Sequence, residues 1–145
     1  MRVKDCMCNN VVWSTPDTTV RDCARIMGEQ HIGSMPVCNQ NQNVVGFVTD
    51  RDILLRAVAC DKDLNNTKVS DIMTTNVCCC DVDHDIDEAT DLMCQNQIRR
   101  LPVIENNKIV GIVTLGDLAM NDGITYGCVG RTYEHICNRN NKNAE

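Results

Sequence analysis

The sequence predicts an α+β fold, an α/β-type roll made of two tandem β-α-β-β-α repeats packed with approximate twofold symmetry. Three observations predict it. Sliding the chain by 66 residues brings Val3-Lys4-Asp5-Cys6-Met7 onto Val69-Ser70-Asp71-Ile72-Met73, and the register holds through most of each half. Short apolar runs alternate with stretches of helical spacing, and the order is the same in both halves. A unit of about 55 residues is marginal alone, so two copies are expected to share their burial.

Each repeat opens on a short strand, near Val11 to Trp13 in the first copy and Val77 to Cys79 in the second. Ser14-Thr15-Pro16-Asp17 then supplies a polar turn. The first helix follows, with Val20, Cys23, Ala24 and Met27 spaced i, i+3, i+4, i+7, matched by Ile86, Ala89, Thr90 and Met93. Two strands come next, Met35 to Cys38 and Val44 to Val48, joined by the turn-rich Asn39-Gln40-Asn41-Gln42-Asn43. The second copy loses one residue in this turn. A second helix is expected through Ile53, Leu54, Ala57 and Val58. These elements divide the chain into a first repeat (3–60), a linker (61–68) and a second repeat (69–121). In the segment 122–137, Tyr126, Val129, Tyr133 and Ile136 suggest a capping helix that Gly127 and Gly130 weaken. The Asn-rich end, 138–145, is expected to be disordered.

Composition narrows the function. Twenty acidic against fourteen basic residues give a formal charge of −6, the wrong sign for a nucleic-acid binder. Aromatics make up only 3%, so a planar base would rest on aliphatic walls and backbone groups rather than on stacked rings. The opening Met1-Arg2-Val3-Lys4-Asp5 has no signal-peptide character, and no apolar run approaches the roughly 20 residues of a membrane span. A cytoplasmic protein is expected. Eleven cysteines in that setting are expected to be reduced and to act as small hydrophobes. Metal or redox sensing is the rival reading. It is opposed by the Cys6-x-Cys8 spacing and by a strand over Cys78-Cys79-Cys80, which would turn Cys79 away from its neighbours.

The halves resemble CBS domains, whose tandem pair is called a Bateman module. The resemblance rests on Ile32-Gly33-Ser34-Met35-Pro36-Val37 with Gly46-Phe47-Val48-Thr49-Asp50-Arg51-Asp52. It recurs in Ile98-Arg99-Arg100-Leu101-Pro102-Val103 with Gly111-Ile112-Val113-Thr114-Leu115-Gly116-Asp117. It covers about residues 3 to 121 and is similar to small stand-alone CBS-pair proteins. It implies a regulatory or sensory module that binds AMP, ADP, ATP or S-adenosylmethionine in clefts between the repeats, a homodimer, and a downstream protein partner.

Thr49-x-x-Asp52 and Thr114-x-x-Asp117 each stand where an apolar strand meets a helix. Such a junction offers unpaired N–H groups to a phosphate and a carboxylate to ribose hydroxyls. The same pattern is a capping box that needs no ligand, so both readings stand. The resemblance implies that Arg99 and Arg100 face the Asp52 motif and that His31 and Ser34 face the Asp117 motif, with Arg51 assisting from within its own. Arginine grips phosphate through a two-pronged fork. Thr15, Pro16, Met35, Pro36 and Val37 are the candidate walls for a base, although Met35 and Val37 also fit a strand core. Asp81-Val82 replaces Thr15-Pro16 in the second copy, where a carboxylate would repel phosphate or accept from an adenine amine. Catalysis is not expected: only His31, His84 and His135 are present, without a nucleophile elbow, a Walker loop or a His-Glu-x-x-His motif. The alternative to ligand sensing is a ligand-free dimerisation or scaffold module.

Overall fold

The computed structural model describes residues 1–120 and 126–142. These form two compact units. One holds residues 11–77 with 107–109, and the other holds 1–10, 78–106 and the described residues from 110 onward.

In the unit of the first repeat, helix α1 (Val20–Gln30) starts at Thr19, whose side chain accepts the Asp22 N–H, and stops at His31 in the left-handed region (φ 55°). Val20, Cys23 and Met27 are buried as the spacing predicts. Ala24 is exposed instead, because it sits at the edge of the apolar stripe. Strands β1 (Ser34–Cys38) and β2 (Val44–Thr49) pair antiparallel from Ser34↔Thr49 to Val37↔Gly46, with a bulge before Cys38↔Val44. The strand expected over Val11 to Trp13 does not form. Pairing begins one residue later, as a parallel bridge between Ser14 and Val37. Two residues on, Pro16 has no N–H to extend the ladder. Helix α2 (Asp50–Ile53) widens at once into a π-helical turn, Leu54–Val58, closed by Ala59 N–H on the Leu54 carbonyl at 2.8 Å. Ile53 and Ala57 enter the core, while Leu54 and Val58 are exposed.

The unit of the second repeat follows the same plan. Strand β3 (Cys80–Asp81) pairs parallel with β4 (Arg100–Glu105), again one residue past the expected Val77 to Cys79. Strand β5 (Lys108–Thr114) completes the three-stranded sheet β3-β4-β5. Asn106 and Asn107, both at positive φ, make the tight β4–β5 turn, and this is where the missing residue falls. Helix α3 (Ile86–Asn96) buries Ile86, Ala89, Thr90 and Met93, and the short α4 (Leu115–Ala119) buries Leu115 and Leu118. Helix α5 (Tyr126–Lys142) packs on α3 and α4 and sends Ile136 into the core. It covers the edge of α3 that holds Thr90, the counterpart of the exposed Ala24, and runs into the stretch expected as a tail. Residues 122–125 and the side chain of Tyr126, in the expected capping segment, and residues 143–145, in the expected tail, lie outside the described residues.

The compact units are not the sequence repeats. The head of each repeat packs in the unit built by the other. Val3 N–H donates to the His84 carbonyl at 2.9 Å, Cys8 bridges Ile112, and Val3 is fully buried beside Val103 and Leu118. In the same way Val69 N–H donates to the Thr18 carbonyl at 2.8 Å, Thr74 bridges Phe47, and Val69 and Ile72 join the core of Val20 and Met35.

This exchange explains the glycine shared by Val45-Gly46 and Val110-Gly111. A side chain at Gly46 would collide with the Met73 thioether, and one at Gly111 with the Met7 sulfur and, at 3.0 Å, with the Cys8 carbonyl. A thioether can swing aside, but the carbonyl cannot move without breaking the Cys8–Ile112 pairing. Gly111→Ala is therefore expected to cost about 1–3 kcal/mol by overpacking, more than Gly46→Ala, as read by chemical denaturation of the two variants.

Candidate functional site

Both Thr-x-x-Asp motifs are capping boxes. Thr49 Oγ1 accepts the Asp52 N–H at 3.1 Å while Asp52 Oδ2 accepts the Thr49 N–H at 3.0 Å. Thr114 and Asp117 repeat the arrangement at 3.0 and 2.9 Å. The cap and a ribose contact do not exclude each other, because the cap engages one oxygen of a carboxylate that has two. In the first copy the second oxygen faces Arg56 Nη1 at 3.8 Å. Helix α4 is only five residues long, so few aligned peptide dipoles stand behind any anion there. A phosphate would have to be held by side chains.

Those side chains stand in the second unit. An open pocket of ≈ 580 Å³ is lined by Arg99, Arg100, Thr114 and Leu115, with Tyr133 of α5 on its wall. Its size suits a small-molecule site. The backbone explains the meeting: Leu115 N–H donates to the Arg99 carbonyl at 2.9 Å, tying the turn before β4 to the start of α4. The first unit has the same tie, Asp50 N–H to the Gly33 carbonyl at 2.8 Å. The two arginines thus stand beside the Thr/Asp motif of their own repeat, whereas the resemblance implied that they face the other. Ion pairs among the described residues join Arg2 and Lys4 to Asp83, Arg25 to Asp22 and Glu29, Arg56 to Asp52, Lys68 to Asp17, and His84 to Glu88. Arg99 and Arg100 take part in none of them. Both are exposed on the pocket wall.

The other candidates are placed as follows. Asp117 is not on the pocket lining; its carboxylate turns back into the cap. Met35, Pro36 and Val37 are buried in β1, with Met35 and Val37 wholly inside the core of the first unit. They are core residues rather than an exposed wall. Ser34 is also buried. His31 is exposed at the C-cap of α1, and Arg51 is exposed in the first turn of α2. Thr15 and Pro16 lie in a turn closed by Thr15 N–H on Thr18 Oγ1 at 3.1 Å. Asp81 accepts the Asp83 N–H at 2.9 Å and caps its own turn, while Val82 is core.

Sequence reasoning missed Leu115, Val129, Gly130 and Tyr133 as lining residues. Val129 and Tyr133 stand i, i+4 in the expected capping helix and were read only as packing. Tyr133 is in fact 47% exposed.

Among the described residues no group of three or more His, Cys, Asp or Glu is arranged to hold an ion. Burial raises the thiols of Cys23 and Cys79 to about 11 and that of Cys80 to about 12. A thiol held protonated is a poor nucleophile and a poor ligand. These groups titrate at higher pH in the folded chain than in the unfolded one. Their contribution to stability is complete below the ordinary thiol value of 9.0 and is lost as pH rises through about 11 to 12. Denaturant midpoints are expected to hold steady up to about pH 9 and to fall above it, with a smaller fall in Cys80→Val.

Among the described residues no helix is long and apolar enough to cross a membrane.

The family model of the CBS domain matches residues 3–59 and 69–122. The chain is 41% identical over 119 residues to the CBS domain-containing protein YhcV of Bacillus subtilis, covering 82% of this chain and 84% of that one. Among solved structures it resembles the CBS domain pair of protein MJ0100 in complex with 5′-methylthioadenosine and S-adenosyl-L-methionine. That match has a TM-score of 0.71 at 27% identity and covers 82% of this chain and 93% of the other. It also resembles CBSX2 in complex with AMP, with a TM-score of 0.70 at 27% identity over 81% and 92% of the two chains.

Proposed function

The chain belongs to the CBS domain family, and from that premise we propose that it is a regulatory module whose second repeat binds an adenine nucleotide. The observation that carries the reading is the ≈ 580 Å³ pocket in which Arg99 and Arg100, engaged in none of the ion pairs among the described residues, stand beside Thr114. Similar CBS pairs bind AMP in one case and adenosyl sulfur compounds in the other. The charge of this pocket discriminates between those ligands. Two guanidinium groups attract a phosphate and repel the sulfonium of S-adenosylmethionine, so a nucleotide is the better fit. Binding would favour one arrangement of the module over another, by as much as the ligand prefers it, and a partner protein would read the difference.

Calorimetry with AMP, ADP, ATP and S-adenosylmethionine tests this; heat with S-adenosylmethionine alone would overturn it. Asp117→Asn separates the two roles of the motif. Asparagine can still accept the Thr114 N–H, so the cap survives. A drop in AMP affinity with unchanged stability would assign Asp117 to the ribose, and unchanged affinity would leave it a cap.

One observation favours a second reading, a self-association module. Leu54, Leu55 and Val58 are exposed at 58%, 46% and 48% along the π-helical turn, and a second copy of the chain would cover them. A monomer by light scattering, with Leu54→Glu unchanged in mass, would remove it.

A further inference from the structure

We propose that the α5 wall of this pocket is a purine-recognition subsite, with the ring of Tyr133 as the surface on which the base stacks and Gly130 as the clearance beside it. The inference rests on the nucleotide reading above and adds what distinguishes a purine from any other phosphorylated ligand.

Three observations meet here. The 3% aromatic content implies that a base would rest on aliphatic walls, yet one of the chain's two tyrosines is on the pocket wall, 47% exposed and in the same lining as Arg99 and Arg100. The helix that carries it is firmly seated. Thr132 and Ile136 are buried, and Val129 packs on the core, so Tyr133 is held at the edge of an inward-facing stripe rather than on a free arm. Aromatic rings presented in this way stack on bases at a gain of about tenfold or more in affinity per base.

The third observation is the glycines. Gly116 and Gly130 both line the pocket, and both stand inside helices, α4 and α5. No glycine in the described chain has a positive φ, so neither is demanded by backbone conformation. Packing does not demand them either: a Cβ at Gly130 would meet nothing within 4 Å, and one at Gly116 would reach only Thr114 Oγ1, at an ordinary 3.5 Å. Helical glycine is unfavourable relative to alanine. Neither packing nor conformation requires glycine at these positions, and its presence on the pocket wall leaves room there for a ligand.

The test compares AMP with ribose 5-phosphate, which has the same phosphate and sugar and no base, by calorimetry on the full chain. The wild type is expected to prefer AMP by about tenfold or more. Tyr133→Ala is expected to abolish that preference while leaving ribose 5-phosphate affinity unchanged, and Tyr133→Phe to keep it. Gly130→Ala is expected to raise the melting temperature yet weaken AMP. Gly28→Ala, another helical glycine with open space around it but outside the pocket, is expected to raise the melting temperature without touching AMP. An AMP preference that survives Tyr133→Ala, in a chain whose AMP binding still requires Arg99 and Arg100, overturns the subsite and spares the nucleotide reading. A wild-type chain that binds neither compound overturns both.

Discussion

Replacing Arg99 and Arg100 together by glutamine is expected to weaken AMP binding about 100-fold while leaving adenosine affinity unchanged. Hydrogen bonds to charged groups contribute about 1.5–3 kcal/mol each. Both arginines are exposed, so the low end applies, and two such losses make about 3 kcal/mol, or a factor of roughly 100. Adenosine has no phosphate and supplies the internal control. Ionic strength supplies another. Wild-type AMP affinity should fall from low to high salt, because exposed charges are screened over about 10 Å at 0.1 M, and the double variant should lose most of that dependence. Neither residue is in a described ion pair or in a core cluster, so the folded state should be unaffected. Equal AMP affinity in the double variant would remove the phosphate site.

The second large effect concerns stability and follows from the exchanged heads. A fragment of residues 11–77 is expected to unfold cooperatively on heating, whereas residues 1–66, which contain the whole first repeat as the sequence draws it, are expected not to. The first fragment keeps every member of the core cluster of Val20, Met35 and Val48, including Val69 and Ile72. The second lacks those two, and its own head places Val3 in the core of the other unit. Burial of each missing side chain is worth about 1.5–3 kcal/mol, a large share of the 5–15 kcal/mol of an ordinary domain. In the full chain the same contact is probed by Ile72→Ala, which is expected to cost about 2–5 kcal/mol. Equal cooperativity in the two fragments would show that the heads are not part of the cores they enter.

Much of the architecture was legible because it is written in periodicities. The stripe of Ile86, Ala89, Thr90 and Met93 is buried as a 3.6-residue period requires, and β1 and β2 fall within a residue of their expected ends. The errors have local causes. Ala24 has the right spacing but lies at the edge of its stripe, and the second helix widens into a π-helical turn over Leu54–Val58 that leaves no mark in composition. The candidate site was legible only in part. Arg99, Arg100 and Thr114 were singled out and do meet, but beside one another in a single repeat. Met35 and Val37 were offered as walls and are core. Tyr133 and Gly130 were passed over because their role depends on where α5 lies.

The sequence by itself determined the duplication and the spacing of the helices and of the β1–β2 and β4–β5 hairpins, since these depend on neighbours within a few residues, while it left the Thr-x-x-Asp motifs open between cap and ligand site. Only the tertiary structure decided which head enters which core, what a side chain at Gly46 or Gly111 would meet, and that a tyrosine from the last helix shares a pocket with two arginines at the start of β4. Those facts are contacts between residues far apart in the chain. Spacing fixes which way a side chain leaves its own helix or strand, but what it then meets is set by long-range packing.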